Sequence, residues 1–291
     1  MDATTALLAN AIVAGLLLGG LFAALSVGIS ISFGMLDVVN IAHPAFIILG
    51  SYIAYYVNDR MGVDPILVSL ALSPLFFLLG AVLYRVYYLC FEKRGQESLR
   101  GLAFFFGILF ITEVALVLIF GVDYRTVRSA YGETTWRLGV LDFPMRLVVP
   151  FLVSITMVVG LQLFLSHTFF GRAVLAVAQD PVALRLMGVN PVMVKERAFA
   201  LSIATAGVAG AFLIVIQPVQ PAIGREYIGL VFAVCVLGGM GSIWGALLGA
   251  FVLGLAESFT ATFFGPSWAP AVSFGLLLAT LAFRPSGILG R

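Results

Sequence analysis

The segment Ala6–Leu36 carries no ionisable side chain and ends in Asp37-Val-Val-Asn40-Ile-Ala-His43-Pro44. A helix crosses the hydrocarbon core of a bilayer in about 20 apolar residues, so this run is longer than one crossing requires. Proline lacks a backbone donor and pushes the residue before it out of the helical region. Pro44 therefore reads as the first residue of a new helix that runs to about Val57. Working outward, the later apolar runs are Ile66–Cys90, Leu102–Gly121, Leu147–Ser166, Ala198–Ile216, Tyr227–Ser258 and Trp268–Phe283, with Gly238-Gly239-Met240-Gly241 interrupting the fifth.

Composition agrees with this pattern. Of 291 residues, 62% are hydrophobic and 10% charged, where soluble domains carry about 25% charged residues. The mean hydropathy is +1.11. These values exclude a water-soluble globule and a disordered chain. Roughly eight to ten crossings would use almost the whole length, leaving no room for a soluble catalytic domain. A net charge of +2 without a basic face offers nothing to nucleic acid. The expected fold is an all-α polytopic membrane protein, a single transmembrane domain over residues 1–291. Its first half spans about residues 6–121 and its second about 147–283.

Lys and Arg set the expected orientation. Phe91–Arg100 and Thr168–Arg197 hold Lys93, Arg94, Arg100, Arg172, Arg185, Lys195 and Arg197, and both connections are expected inside. Parity then puts Val122–Arg146 outside, despite Arg125, Arg128, Arg137 and Arg146, and puts the tail from Arg284 inside. The glycine cluster becomes a break within the membrane. Residues 1–59 lack Lys and Arg, so no signal-peptide n-region is seen and the first helix is expected to be retained. The N-terminus is expected outside. Residues 6–57 and 198–257 share one pattern of helix, break and helix, the pointer to inverted repeats around a translocation path. The competing reading is that the glycines serve close packing. Gly241, Gly245 and Gly249, like Gly15 and Gly19, recur every four residues and are expected to face another helix.

Ionisable groups within the apolar runs are few, and a charge at the membrane centre costs about 2.5–3.5 kcal/mol on the insertion scale. Glu113 is the clearest candidate, either protonated and structural or lining a path. Glu257 and His167 read as interfacial residues at helix ends. Asp37 and His43 flank the first break, as caps or as substrate contacts. Cys90 and Cys235 read as small buried hydrophobes, with no metal-ligand spacing. The two lysines, Lys93 and Lys195, follow no GxxxxGK[ST] loop, and HExxH and GxSxG are absent, so neither ATP binding through a P-loop nor hydrolysis is expected of this chain. Strings of intramembrane carboxylates, expected of an ion-coupled carrier, are also missing. In the connection 168–197, Asp180-Pro181 starts a short helix and Gly188 ends it. Val182, Leu184, Leu186 and Met187 give that helix an apolar surface. So short a helix needs a partner, either lipid or protein.

Several blocks carry a family resemblance: Ser32-Phe-Gly-Met-Leu-Asp-Val-Val-Asn40-Ile-Ala-His43-Pro44-Ala-Phe46-Ile-Ile-Leu-Gly50, Gly171-Arg172-Ala173 through Gln179-Asp180 and Leu186-Met187-Gly188-Val-Asn190, Val236 through Ala250, and Arg284-Pro-Ser-Gly287. Over nearly its whole length the chain resembles the LivH-type permease subunits of branched-chain amino acid ABC importers. The resemblance implies a multi-pass permease subunit of the bacterial inner membrane, without catalysis or cofactor of its own. Its implied partners are a second, LivM-like permease, two ATP-binding subunits of LivG and LivF type that hold ATP and Mg, and a periplasmic substrate-binding protein. Asp180 to Gly188 would be the coupling helix, with Gly171, Arg172, Gln179, Ala183, Leu186 and Met187 in the contact with the ATPase. Asn40, His43, Pro44, Phe46, Gly238, Gly239 and Gly241 would border the path, with Glu113 as a further candidate. Pro44 stands where the family usually has glycine, and Gln179 where it has an acid. Urea or short amides, and aromatic or dicarboxylic acids, stay open as substrates. A self-sufficient carrier or channel stays open as the rival class.

Overall fold

The computed structural model describes residues 3–95, 97–139 and 141–290. Its helices are α1 (Ala3–Ser32), α2 (His43–Met61), α3 (Pro65–Cys90), α4 (Glu97–Phe120), α5 (Met145–His167), α6 (Phe169–Gln179), α7 (Pro181–Leu186), α8 (Pro191–Ile216), α9 (Gly224–Gly238), α10 (Ile243–Phe263) and α11 (Ala269–Phe283). A short antiparallel hairpin joins β1 (Thr135–Leu138) to β2 (Leu141–Pro144). Among the described residues eight helical stretches are long and apolar enough to cross a membrane. The protein is a multi-pass, all-α membrane protein.

Local chemistry sets several helix starts. Asp64, Asp180 and Asn190 each precede a proline and each accepts a hydrogen bond from the backbone N–H two residues on, at 2.9, 2.8 and 3.0 Å. The acid or amide satisfies an orphan donor while proline removes another. α2 begins at His43, one residue before the expected Pro44, so His43 lies in its first turn; it has no side-chain cap and extends beyond Val57 to Met61.

Helix directions follow from the contacts. Asn10 on α1 accepts from the Asp142 N–H at 2.9 Å, which puts the start of α1 beside the hairpin. α10 runs antiparallel to α1, with Ser258 donating to Ala11 O at 2.8 Å. A Cβ at Gly15 would lie 2.8 Å from Leu255 Cα, and one at Gly19 2.7 Å from the Phe251 ring, so the expected small-residue face makes this contact. α8 runs antiparallel to α3, where Gly80 meets Ala200 and Gly207 meets Phe76. It runs parallel to α2, which Ser51 ties to Gly210 O at 2.6 Å. Lys195 and Glu92, 2.7 Å apart, join the end of α3 to the start of α8 at the end of the bundle that carries α6 and α7.

The repeating units are therefore α1–α4 and α8–α11, with opposite directions, and α5 to α7 lie between them. The first helix of each unit packs antiparallel on the third helix of the other. This geometry moves the second interruption. The counterpart of the break at residues 33–42 is Gln217–Ile223, after α8, and Gly238–Gly241 is the turn between antiparallel α9 and α10, not a break within the membrane. That turn packs against Gly34 and the C-terminal tail: Ile288 N–H donates to Leu237 O and Leu289 N–H to Gly238 O, both at 2.9 Å. Gly241 adopts φ +81° and lies against Gly34, where a Cβ on Gly34 would fall 2.0 Å from Gly241 N. Only glycine fits both requirements.

Three smaller expectations change. α10 runs on to Phe263, so Glu257 lies well inside the helix and not at its end. The connection after α4 contains the hairpin, and Arg125 and Arg137 are engaged there, with Phe120 O at 2.7 Å and Asp142 at 3.3 Å respectively. Cys235 is buried as expected, but Cys90, the last residue of α3, is exposed. A maleimide added to the solubilised native chain should thus label Cys90 and spare Cys235. Equal labelling of both before unfolding would contradict this packing.

Candidate functional site

Both interrupted helices begin inside the bundle, side by side. His43, at the first turn of α2, sits 3.0 Å from Leu25 O through Nε2. Gly224, at the first turn of α9, is close enough to Ile48 that a Cβ would lie 3.2 Å from its Cγ1. From this meeting point α2 runs toward the hairpin end, where Asn58 Nδ2 donates to Arg128 O at 3.0 Å. α9 runs to the opposite end.

Glu113 and Arg225 meet here. Arg225 Nη2, from the first turn of α9, donates to Glu113 Oε1 on α4 at 2.8 Å, and the guanidinium lies 5.9 Å from the centre of the Phe110 ring. The Glu113 side chain is 14% exposed and that of Arg225 51%. Beside them Ala45, Ile48, Thr112, Leu116, Pro221 and Gly224 enclose a cavity of about 10 Å³, room for about one water. Sequence reading singled out Glu113 but missed Arg225, whose partner is distant along the chain. The signal was present in Gly224-Arg225-Glu226, separated by two residues from the proline-rich Gln217-Pro218-Val219-Gln220-Pro221.

Asn40, His43, Pro44 and Phe46 line no opening in this conformation: all four are buried. The Asn40 amide, His43 Nδ1 and the hydroxyls of Ser26 and Ser202 are buried without hydrogen-bond partners. Leaving such a group unpaired costs about 1–3 kcal/mol. His43 and Ser202 both lie against Gly28, where α1, α2 and α8 meet.

At the α6–α7 end, Gly241 and Gln179, expected in different roles, line one cleft of about 500 Å³ together with Gln162, Ser166, Trp244 and Leu289. Gly238 and Gly239 are absorbed in packing against Gly245 and Gly290. Asp180 caps α7 by accepting from the N–H groups of Val182 and Ala183 at 2.8 and 3.0 Å, and Gly188 ends the turn at φ +78°. The apolar residues of α7 divide. Leu184 is buried, whereas Val182, Leu186 and Met187 are exposed, Leu186 to 85%. Gly171 is buried at the start of α6, against Leu165 O, while Arg172 and Gln179 face outward and Ala183 is half-buried. Among the described residues no group of three or more His, Cys, Asp or Glu side chains is placed to hold a metal ion.

Residues 11–281 match the family described as the permease component of the branched-chain amino acid transport system. The chain belongs to this family. The permease chain is 32% identical to the high-affinity branched-chain amino acid transport system permease protein BraD of Pseudomonas aeruginosa, over 96% of this chain and 95% of that one. It is 30% identical to a probable branched-chain amino acid transport permease protein LivH of Methanocaldococcus jannaschii, over 91% and 87%. To LivM of Escherichia coli it is 27% identical, over 91% of this chain and 67% of that one. No solved structure matches the permease.

Proposed function

We propose that this chain is a permease subunit of an ABC importer for branched-chain or other hydrophobic amino acids in a bacterial inner membrane. It forms part of the translocation path and leaves ATP hydrolysis to other subunits. The observation that carries this reading is the Glu113–Arg225 pair at the point where two interrupted helices begin. A guanidinium half exposed at the depth of apolar helices is too costly to leave against lipid. The face bearing α4 and the start of α9 therefore turns toward water or toward a second permease subunit, as a path between two such subunits requires. Interrupted helices are tolerated at membrane depth where protein or a water-filled cavity surrounds them. The buried, unpaired groups of Asn40 and His43 support the same reading, since they gain partners when water enters.

Val182, Leu186 and Met187 on α7 support docking to a cytosolic ATP-binding subunit, because an exposed apolar cluster on a short helix is stabilised by being covered. Leu186→Asp should leave the fold of this chain intact, because the side chain supports nothing within it. In proteoliposomes holding the complete transporter, the variant should lose stimulation of ATPase activity by substrate together with ATP-driven uptake. Unchanged coupling would remove α7 from the ATPase contact. The broader reading is tested by gentle purification and reconstitution. ATP-dependent leucine uptake that requires co-purifying ATP-binding subunits is expected, and gradient-driven, ATP-insensitive uptake by this chain alone would overturn it.

A further inference from the structure

Arg225 also lines a second, open cleft of about 740 Å³ bordered by α1, α9, α10 and α11. Sites for small molecules fall in the range of roughly 300–1,000 Å³ and are mostly apolar, with a few polar groups that orient the ligand. This cleft has that character. Leu18, Phe22, Leu230 and Phe274 supply apolar wall, Arg225 supplies positive charge, and Glu226 and Glu257 supply negative charge. Glu257 accepts a hydrogen bond from the Ser273 hydroxyl through Oε1, which holds the carboxylate in place at the cleft wall. Arg225 spends one N–H on Glu113, while a guanidinium carries five donors and binds carboxylates through two at once.

An apolar wall beside one cation and the two carboxylates of Glu226 and Glu257 complements a molecule that carries both charges and an apolar side chain, and of the two acids Glu257 is the one fixed by a hydrogen bond from the cleft wall. We propose that this cleft is where the permease itself holds a zwitterionic apolar amino acid, with its carboxylate toward Arg225, its ammonium toward Glu257 and its side chain against Leu230 and Phe274. The inference rests on the amino-acid importer reading and gives it a site within this chain.

The test uses the full chain with its co-purified partners in nanodiscs and measures binding of radiolabelled L-leucine. Glu257→Gln, which keeps the shape, and Leu230→Trp, which fills the cleft, should each weaken leucine binding by about tenfold or more. Leucinamide, lacking the carboxylate, and 4-methylpentanoate, lacking the ammonium, should compete poorly with leucine. Wild-type binding in both variants, with ATP-driven uptake intact, would overturn the site while leaving the importer reading standing. Equal competition by either analogue would also overturn it. So would displacement of leucine by phosphatidylethanolamine but not by phosphatidylglycerol, because the cleft would then be a lipid headgroup site. If the wild-type complex takes up no amino acid at all, the importer reading fails first and the site falls with it.

Discussion

Glu113→Gln is expected to reduce uptake by about tenfold or more at matched expression, the largest functional loss from a single atom exchange in this chain. Glutamine keeps the shape and one hydrogen bond but leaves Arg225 without its counter-charge. Arg225 is 51% exposed, so water screens part of that loss, and the effect should fall mainly on transport and less on folding. Glu113→Asp, which keeps the charge on a shorter arm, should be milder. Exchanging the pair, Glu113→Arg with Arg225→Glu, should recover a measurable part of the uptake. Initial uptake rates in proteoliposomes decide the matter. Wild-type rates for Glu113→Gln would remove the pair from the path.

The largest loss of stability should come from Gly210→Val. A Cβ at Gly210 would lie 2.0 Å from Ile47 O and 2.7 Å from Ser51 N, both backbone atoms of α2 that cannot turn aside. The same crossing carries the hydrogen bond from Ser51 to Gly210 O at 2.6 Å. Overpacking costs about 1–3 kcal/mol where side chains can adjust. Here backbone must separate, so the cost should reach or exceed the upper value, and little folded protein should appear in fluorescence-detected size exclusion. Gly160→Val is the control, because nothing lies within 4 Å of a Cβ at Gly160 on α5. That variant should elute and melt like the wild type. Equal tolerance of both substitutions would contradict the α2–α8 crossing.

Much of the architecture was legible because its causes are local. The Asp180-Pro181 helix start and the close-packing faces of Gly15 with Gly19 and of Gly245 with Gly249 act within a turn or two of themselves, and each took its expected form. The starts at Asp64-Pro65 and Asn190-Pro191 have the same local cause, and the second carries α8 seven residues ahead of the expected Ala198. Gly238–Gly241 misled because glycine signals a break without saying at what depth it falls. The true second interruption was marked by Pro218 and Pro221, whose restricted φ makes them the more specific signal. The hairpin at residues 135–144 had a strand-like pattern around Gly139, but it was too short to stand out against long apolar runs. Glu113 could be flagged by its cost in lipid, yet the identity of the partner that offsets this cost is a contact between distant parts of the chain.

The sequence by itself determined that this chain is a polytopic helical membrane protein with interrupted helices in two related units, since apolar length and backbone breakers dictate that much. Family membership was likewise carried by short blocks of residues. Tertiary structure decided which interruptions face each other, that Arg225 meets Glu113 where α2 and α9 begin, and that Gly241 serves as a turn packed on Gly34. Those facts depend on how oppositely directed units interlock, and no local preference encodes the partner that a distant helix will present.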